Sequence, residues 1–226
     1  MIEHTLDTPL QEALSTGYGT FPGSLDSYGF HALELLQCMV ERRVGGETGI
    51  AAVHCLEGEA VWEARDRGLW SGDLVDAVCV VFEDKPDGSI EGCCRNIAAF
   101  VIEYADGFRA TTLMLDGYTR NWGYACRVYG QVQATRVLTA GPPYPHFSYL
   151  GLNIQELFLT GKPQYPVERT LLVSGALEAL MDSRYRGHVR VATPHLDVRY
   201  RSYDRPPIRP ALPSPQGASL EPLPES

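Results

Sequence analysis

Apolar positions recur along the chain with two periods, and the change of period marks its elements. Residues 9–18 read as a short strand that runs into the glycine- and proline-rich stretch GYGTFPGS. Over 31–43 the apolar residues fall at Ala32, Leu35, Leu36, Met39 and Val40. That i, i+3, i+4, i+7, i+8 stripe predicts an amphipathic helix. Asp26 or Ser27 serves as its N-cap, and Gly45–Gly46 stops it. Residues 48–58 (TGIAAVHCLEG) are β-branched and short, and predict a strand; 58–70 and 72–82 predict two short helices around a turn at Ser71–Gly72.

The strongest β signal follows. Two apolar runs over 97–117 are joined by Asp106–Gly107, a pair suited to a tight hairpin turn. Residues 121–138 add one or two more strands, and these adjacent runs should pair antiparallel. A proline-bound loop becomes a helix near Tyr149. A second helix begins at Pro166, whose missing N–H suits a first helical position, and ends at Gly187. HLDVRY, residues 195–200, predicts a last strand. The fold class expected is α+β: an open, largely antiparallel (mixed) sheet with helices packed on one face. A single domain should cover 1–204, with a proline-rich tail, 205–226, too poor in aliphatic residues to join a core.

Composition narrows the partners. The 226 residues carry a net charge of −9, which disfavours nucleic acid or an anionic membrane as the main partner. No apolar run approaches the roughly 18 residues of a membrane span, and the first residues lack a secretory leader pattern. Six cysteines lie mostly within apolar stretches without a CxxC pair, which predicts buried free thiols in a reducing compartment, the cytoplasm.

Few residues carry chemistry. Gly17 and Gly19 echo a dinucleotide loop, but Pro22 stands where its third glycine belongs, so a plain loop is expected. Glu83-Asp84-Lys85-Pro86 runs straight into Asp87-Gly88-Ser89 and reads as a solvated turn, although a lysine there could transfer a proton. His54 and Cys55 alternate across a strand and cannot share a metal. His31 opens the amphipathic helix near Asp26 and Tyr28. It could exchange a proton with a bound hydroxyl, or it could simply pack against its turn.

Three phrases, in order, resemble one family. They are residues 26–62 (beginning DSYGFHALELLQ), 165–187 (YPVERTLLVSGALEALMDSRYRG) and 191–200 (VATPHLDVRY), and they resemble the C-terminal domain of the Gfo/Idh/MocA oxidoreductases. The resemblance implies an open sheet that shapes a sugar or polyol pocket and packs against another subunit through its exposed face. NAD or NADP would sit on an N-terminal Rossmann domain that also brings a Glu-Lys-Pro lysine. No cofactor is then expected on this chain alone, and no metal. By the same resemblance His31 is the catalytic histidine, and Asp26, Tyr28, Tyr149 and Arg169 line the substrate pocket. Four residues before the histidine, where the family carries an acid, this chain has Ser27, with Asp26 one further back. The expected function is thus the substrate-binding and oligomerisation part of a sugar or polyol oxidoreductase, inactive without its cofactor domain. The alternative is a non-catalytic ligand-binding or interaction module.

Overall fold

The computed structural model describes residues 2–19, 23–139, 141–142 and 144–204; the proline-rich tail and the centre of the GYGTFPGS loop lie outside them. By its internal contacts the chain forms two compact units. Among the described residues, one lies within 2–137 and 168–202, the other within 138–167 and 203–204.

The first unit is built on a seven-stranded mixed sheet: β1 (Leu10–Gly17), β2 (Ile50–Glu57), β3 (Asn96–Tyr104), β4 (Arg109–Asp116), β5 (Trp122–Val128), β6 (Gln131–Val137) and β7 (Val191–Ala192). Their spatial order is β6-β5-β1-β4-β3-β2-β7. The β3–β4 hairpin turns at Asp106–Gly107 as read from the sequence, with Gly107 at φ +84°. The β5–β6 hairpin is antiparallel as well. Between these hairpins lies β1, antiparallel to β5 but parallel to β4, with Gly17 opposite Met114.

Helices occupy both faces of this sheet, which corrects the expectation of one covered face. The cause is visible within β3. Ala98, Phe100, Ile102 and Tyr104 point into one core, and Ile97, Ala99 and Val101 into the other. A strand apolar at both parities must be covered twice. The first core is closed by α1 (Leu25–Val40) and α6 (Val167–Tyr185), whose residues from Glu168 on belong to this unit. The second is closed by α2 (Glu59–Asp66) and α3 (Gly72–Val80). A single turn, α4 (Ile90–Cys93), precedes β3, and α5 (Pro145–Thr160) belongs to the second unit.

Two other expectations shift. The first helix begins at Leu25 with Ser24 as N-cap, so Asp26 and Ser27 lie inside its first turn. It approaches the sheet at Gly29, where a Cβ would stand 2.7 Å from Phe100 Cε2. Residues 195–200 do not form a strand. The ladder stops at β7 because Pro194 has no N–H to donate, and a 3-10 turn, Pro194–Leu196, follows. Tyr200 makes only an isolated bridge to Glu47.

Candidate functional site

Where β1 and β4 end and β5 begins, α1 starts, and three of these elements, β1, α1 and β5, bring their aromatic residues together. Tyr18 follows β1, Tyr28 and His31 lie in the first turns of α1, and Trp122 opens β5. The Trp122 ring lies 5.2 Å from Tyr18, parallel to Tyr28 at 6.2 Å, and edge-on to His31 at 6.2 Å between centroids. Tyr28 and Phe30 also meet His31 edge-on, at 6.2 and 5.8 Å. Tyr28, Phe30 and Trp122 thus each meet His31 in the edge-on arrangement that ring quadrupoles favour, while Tyr18 leans tilted against Tyr28 and Trp122. His31 itself is exposed, and Tyr18, Tyr28 and Trp122 are half-buried, so the group presents ring surface and an imidazole to solvent.

Local packing explains the cluster. Gly17 has no room for a side chain, since a Cβ would lie 2.8 Å from Trp122 and 3.0 Å from Ala32 Cβ. The chain then turns with the Gly19 N–H donating to the Asp116 carboxylate at the end of β4. That carboxylate anchors the loop and places a negative charge at the mouth of the strand-to-helix turn.

The residues singled out in the sequence fall into three places. His31 and Tyr28 meet in the cluster. Asp26 is exposed, accepts a hydrogen bond from the Ser27 N–H at 2.7 Å, and sits five residues before His31, off its helical face. The position on that face is Ser27, whose hydroxyl donates to the Ser24 carbonyl at 3.3 Å. Tyr149 belongs to α5 of the second unit. Its hydroxyl is buried without a hydrogen-bond partner among the described residues, and its carbonyl accepts from Asn153 Nδ2 at 2.8 Å.

Arg169 forms a bidentate pair with the fully buried Glu41, Nε–Oε2 2.9 Å and Nη2–Oε1 2.5 Å. The same carboxylate accepts from the Tyr200 hydroxyl at 2.6 Å and the Ser202 hydroxyl at 2.5 Å. Burial works against the Arg169 charge, but bonding to Glu41 outweighs it and raises the guanidinium above its ordinary pKa. Arg169 is therefore committed to a buried charge pair in this structure.

The remaining motifs keep structural surroundings. Glu83 pairs with Arg136 at 3.0 Å, and Asp84 accepts from the Thr119 hydroxyl at 3.2 Å and from the Asn121 amide, which ties down the turn that carries Lys85. Lys85 lines an open cleft of about 610 Å³ with Trp62, Asp73, Asp76 and Tyr118. His54 bonds the His188 carbonyl at 2.7 Å, while Cys55 is buried in the core under α1 and α6. Burial pushes the Cys38 and Cys55 thiols up to about 12, so neither is a ready thiolate. Among the described residues no three His, Cys, Asp or Glu side chains form a metal-binding group, and no helix is long and apolar enough to cross a membrane.

Tyr18, Asp116 and Trp122 were missed by sequence reasoning. The one available signal was the crowding of aromatics beside Gly17 and Gly19; Trp122 arrives only through long-range strand pairing.

No protein-family model matches the chain, and no curated protein does. Solved structures of Gfo/Idh/MocA-type dehydrogenases are similar to it across 81–84% of its length. GenD2 from gentamicin A biosynthesis, in complex with NAD, is 13% identical with a TM-score of 0.49, over 84% of this chain and 55% of that one. Myo-inositol 2-dehydrogenase from Lactobacillus plantarum is 11% identical with a TM-score of 0.49, over 81% and 57%. Aldose-aldose oxidoreductase from Caulobacter crescentus, complexed with glycerol, is 17% identical with a TM-score of 0.44, over 81% and 56%. The chain thus spans little more than half the length of each of these proteins.

Proposed function

We propose that this chain is the substrate-binding part of an NAD(P)-dependent sugar or polyol oxidoreductase, with the nicotinamide cofactor bound outside these 226 residues. The observation that carries the reading is the aromatic cluster of Tyr18, Tyr28 and Trp122 around His31, at the carboxyl ends of β1 and β4. Ring faces beside a few polar groups suit a ligand with an apolar C–H face and a rim of hydroxyls. In open sheets with helices on both faces, the carboxyl ends of parallel strands are also where ligands gather.

In this reading Trp122 and Tyr28 hold the C–H face of the substrate. His31 hydrogen-bonds the reacting hydroxyl and accepts its proton as the carbinol carbon becomes a carbonyl. The bound nicotinamide would take the hydride from that carbon. The strand-to-helix turn of β1 and α1 does not suit the pyrophosphate: its Gly19 N–H is taken by the Asp116 carboxylate, and Asp26 adds a second negative charge in the first turn of α1. Pairing of subunits and a cytoplasmic home belong to the same proposal.

A second reading, a binding module without catalysis, is favoured by Ser27. No carboxylate stands one turn before His31 to orient its imidazole, and the Ser27 hydroxyl is turned to the Ser24 carbonyl. Both readings predict that myo-inositol or glucose shifts the Trp122 indole N–H in ¹H–¹⁵N spectra of the pure chain. His31→Ala should weaken that binding about fivefold, as the loss of one hydrogen bond implies. The pure chain should turn over no polyol with NAD or NADP. Turnover in proportion to protein concentration would refute the external cofactor, and an indole unmoved by every polyol would refute the site.

A further inference from the structure

The aromatic cluster continues into a second feature, on β6. In the β5–β6 pairing Trp122 stands opposite Val137, Tyr124 opposite Thr135, Cys126 opposite Gln133 and Val128 opposite Gln131. Residues directly opposite share a face, so these four β6 residues lie on the face that carries Trp122 and the α1 core. Within the first unit α1 packs on β1, β4 and β5, whereas β6 meets α3, through Val132 and Ala134 on the opposite face. Gln131 and Gln133 are exposed, and neither side-chain amide makes a hydrogen bond among the described residues.

The row has a definite chemistry. A glutamine amide offers two donors and an acceptor, and the Thr135 hydroxyl, which donates to the Arg136 carbonyl at 3.3 Å, keeps its lone pairs as an acceptor, so the row complements vicinal hydroxyl groups. No charged side chain interrupts it, since Arg136 faces the other way with Val132 and Ala134, and pairs there with Glu83. A neutral ligand therefore fits better than a phosphorylated one. The row is also long. Successive side chains on one face stand about 7 Å apart, so Gln133 lies about 14 Å along the sheet from the level of Trp122. One six-membered ring stacked on Trp122 cannot reach it.

We propose that Thr135, Gln133 and Gln131 extend the site along β6, and that its ligand is a neutral glycoside of two or more linked rings. This rests on the reading that hydroxylated rings bind at Trp122.

The test uses the full ¹⁵N-labelled chain titrated with glucose, myo-inositol, maltose and cellobiose. A disaccharide should bind about tenfold more tightly than glucose, the effect of one or two added hydrogen bonds. It should shift the Gln133 side-chain amide together with the Trp122 indole, while only longer oligosaccharides of the same linkage should reach Gln131. Gln133→Ala should return disaccharide affinity towards that of glucose, with the thermal midpoint unchanged because the residue is exposed. If glucose and the disaccharides bind equally and move the indole but not the Gln133 amide, the β6 extension is overturned while the Trp122 site stands. Tighter disaccharide binding that survives Gln133→Ala overturns it as well. If no probe moves the indole, the site at Trp122 fails, and the extension fails with it.

Discussion

At the scale of single residues, the site depends on places where side chains are missing. Gly17 makes room for Trp122 and Ala32, and Gly29 lets α1 settle onto Phe100. At Gly29 a methyl group gains helix propensity but meets a fully buried ring at 2.7 Å. A larger branched side chain has no compensating gain. Gly29→Val is expected to cost about 1–3 kcal/mol, read as a lower midpoint in thermal or urea denaturation. The same steric logic explains what the sequence disclosed of the site. His31 and Tyr28 are legible because one helix turn brings them together. Trp122, more than ninety residues away, meets them only once β5 has paired with β1.

At the scale of elements, the sequence was readable wherever neighbours in the chain are neighbours in space. The β3–β4 hairpin follows from a short turn between apolar runs, and that Asp106–Gly107 turn is further held by Arg43, which donates to Asp106 at 2.8 Å; residues 121–138 were legible only as one or two strands, because β6 alternates polar side chains with apolar ones. Gly107 adopts φ +84°, a conformation that costs a branched residue more than glycine. Gly107→Val should therefore destabilise the fold by about 1–2 kcal/mol, and hydrogen exchange should rise first at the β3–β4 end of the ladder. The parallel pairing of β1 with β4 was not legible, because nothing local records which distant strand will fill a gap. Nor was the second covered face, although the unbroken apolar run of β3 held that information. The first helix was placed too late because Ser27, Tyr28 and Gly29 are indifferent helix formers, and tertiary packing of Leu25 and Gly29 overrides them.

At the scale of the whole molecule, the N-terminal segment is fastened by a histidine that resists protonation. His4 is buried, with Nε2 3.0 Å from the Tyr124 hydroxyl, and its carbonyl accepts from Arg42 at 2.6 Å. Burial, helped by the nearby Arg42 charge, lowers its pKa from 6.5 to about 4. A depressed folded-state pKa means that its contribution is complete above pH 6.5 and is lost as pH falls towards 4. Over that interval stability should decline by up to about 3 kcal/mol. His4→Gln should flatten this part of the stability curve, measured by urea denaturation at a series of pH values. A slope equal to that of the parent chain would show that other groups govern the acid response.

The position of β1 has a kinetic corollary. The first strand of this sheet to be synthesised is an interior one, and its two partners begin only at residues 109 and 122. A nascent chain must therefore hold this strand unpaired for about a hundred residues while the later hairpins close around their own turns. Closing so large a loop is entropically slow. β1 is expected to enter late, between the two hairpins, and to bring Trp122 to Tyr28 and His31 in the same step; hydrogen-exchange pulses during refolding should then protect β3 and β4 before β1.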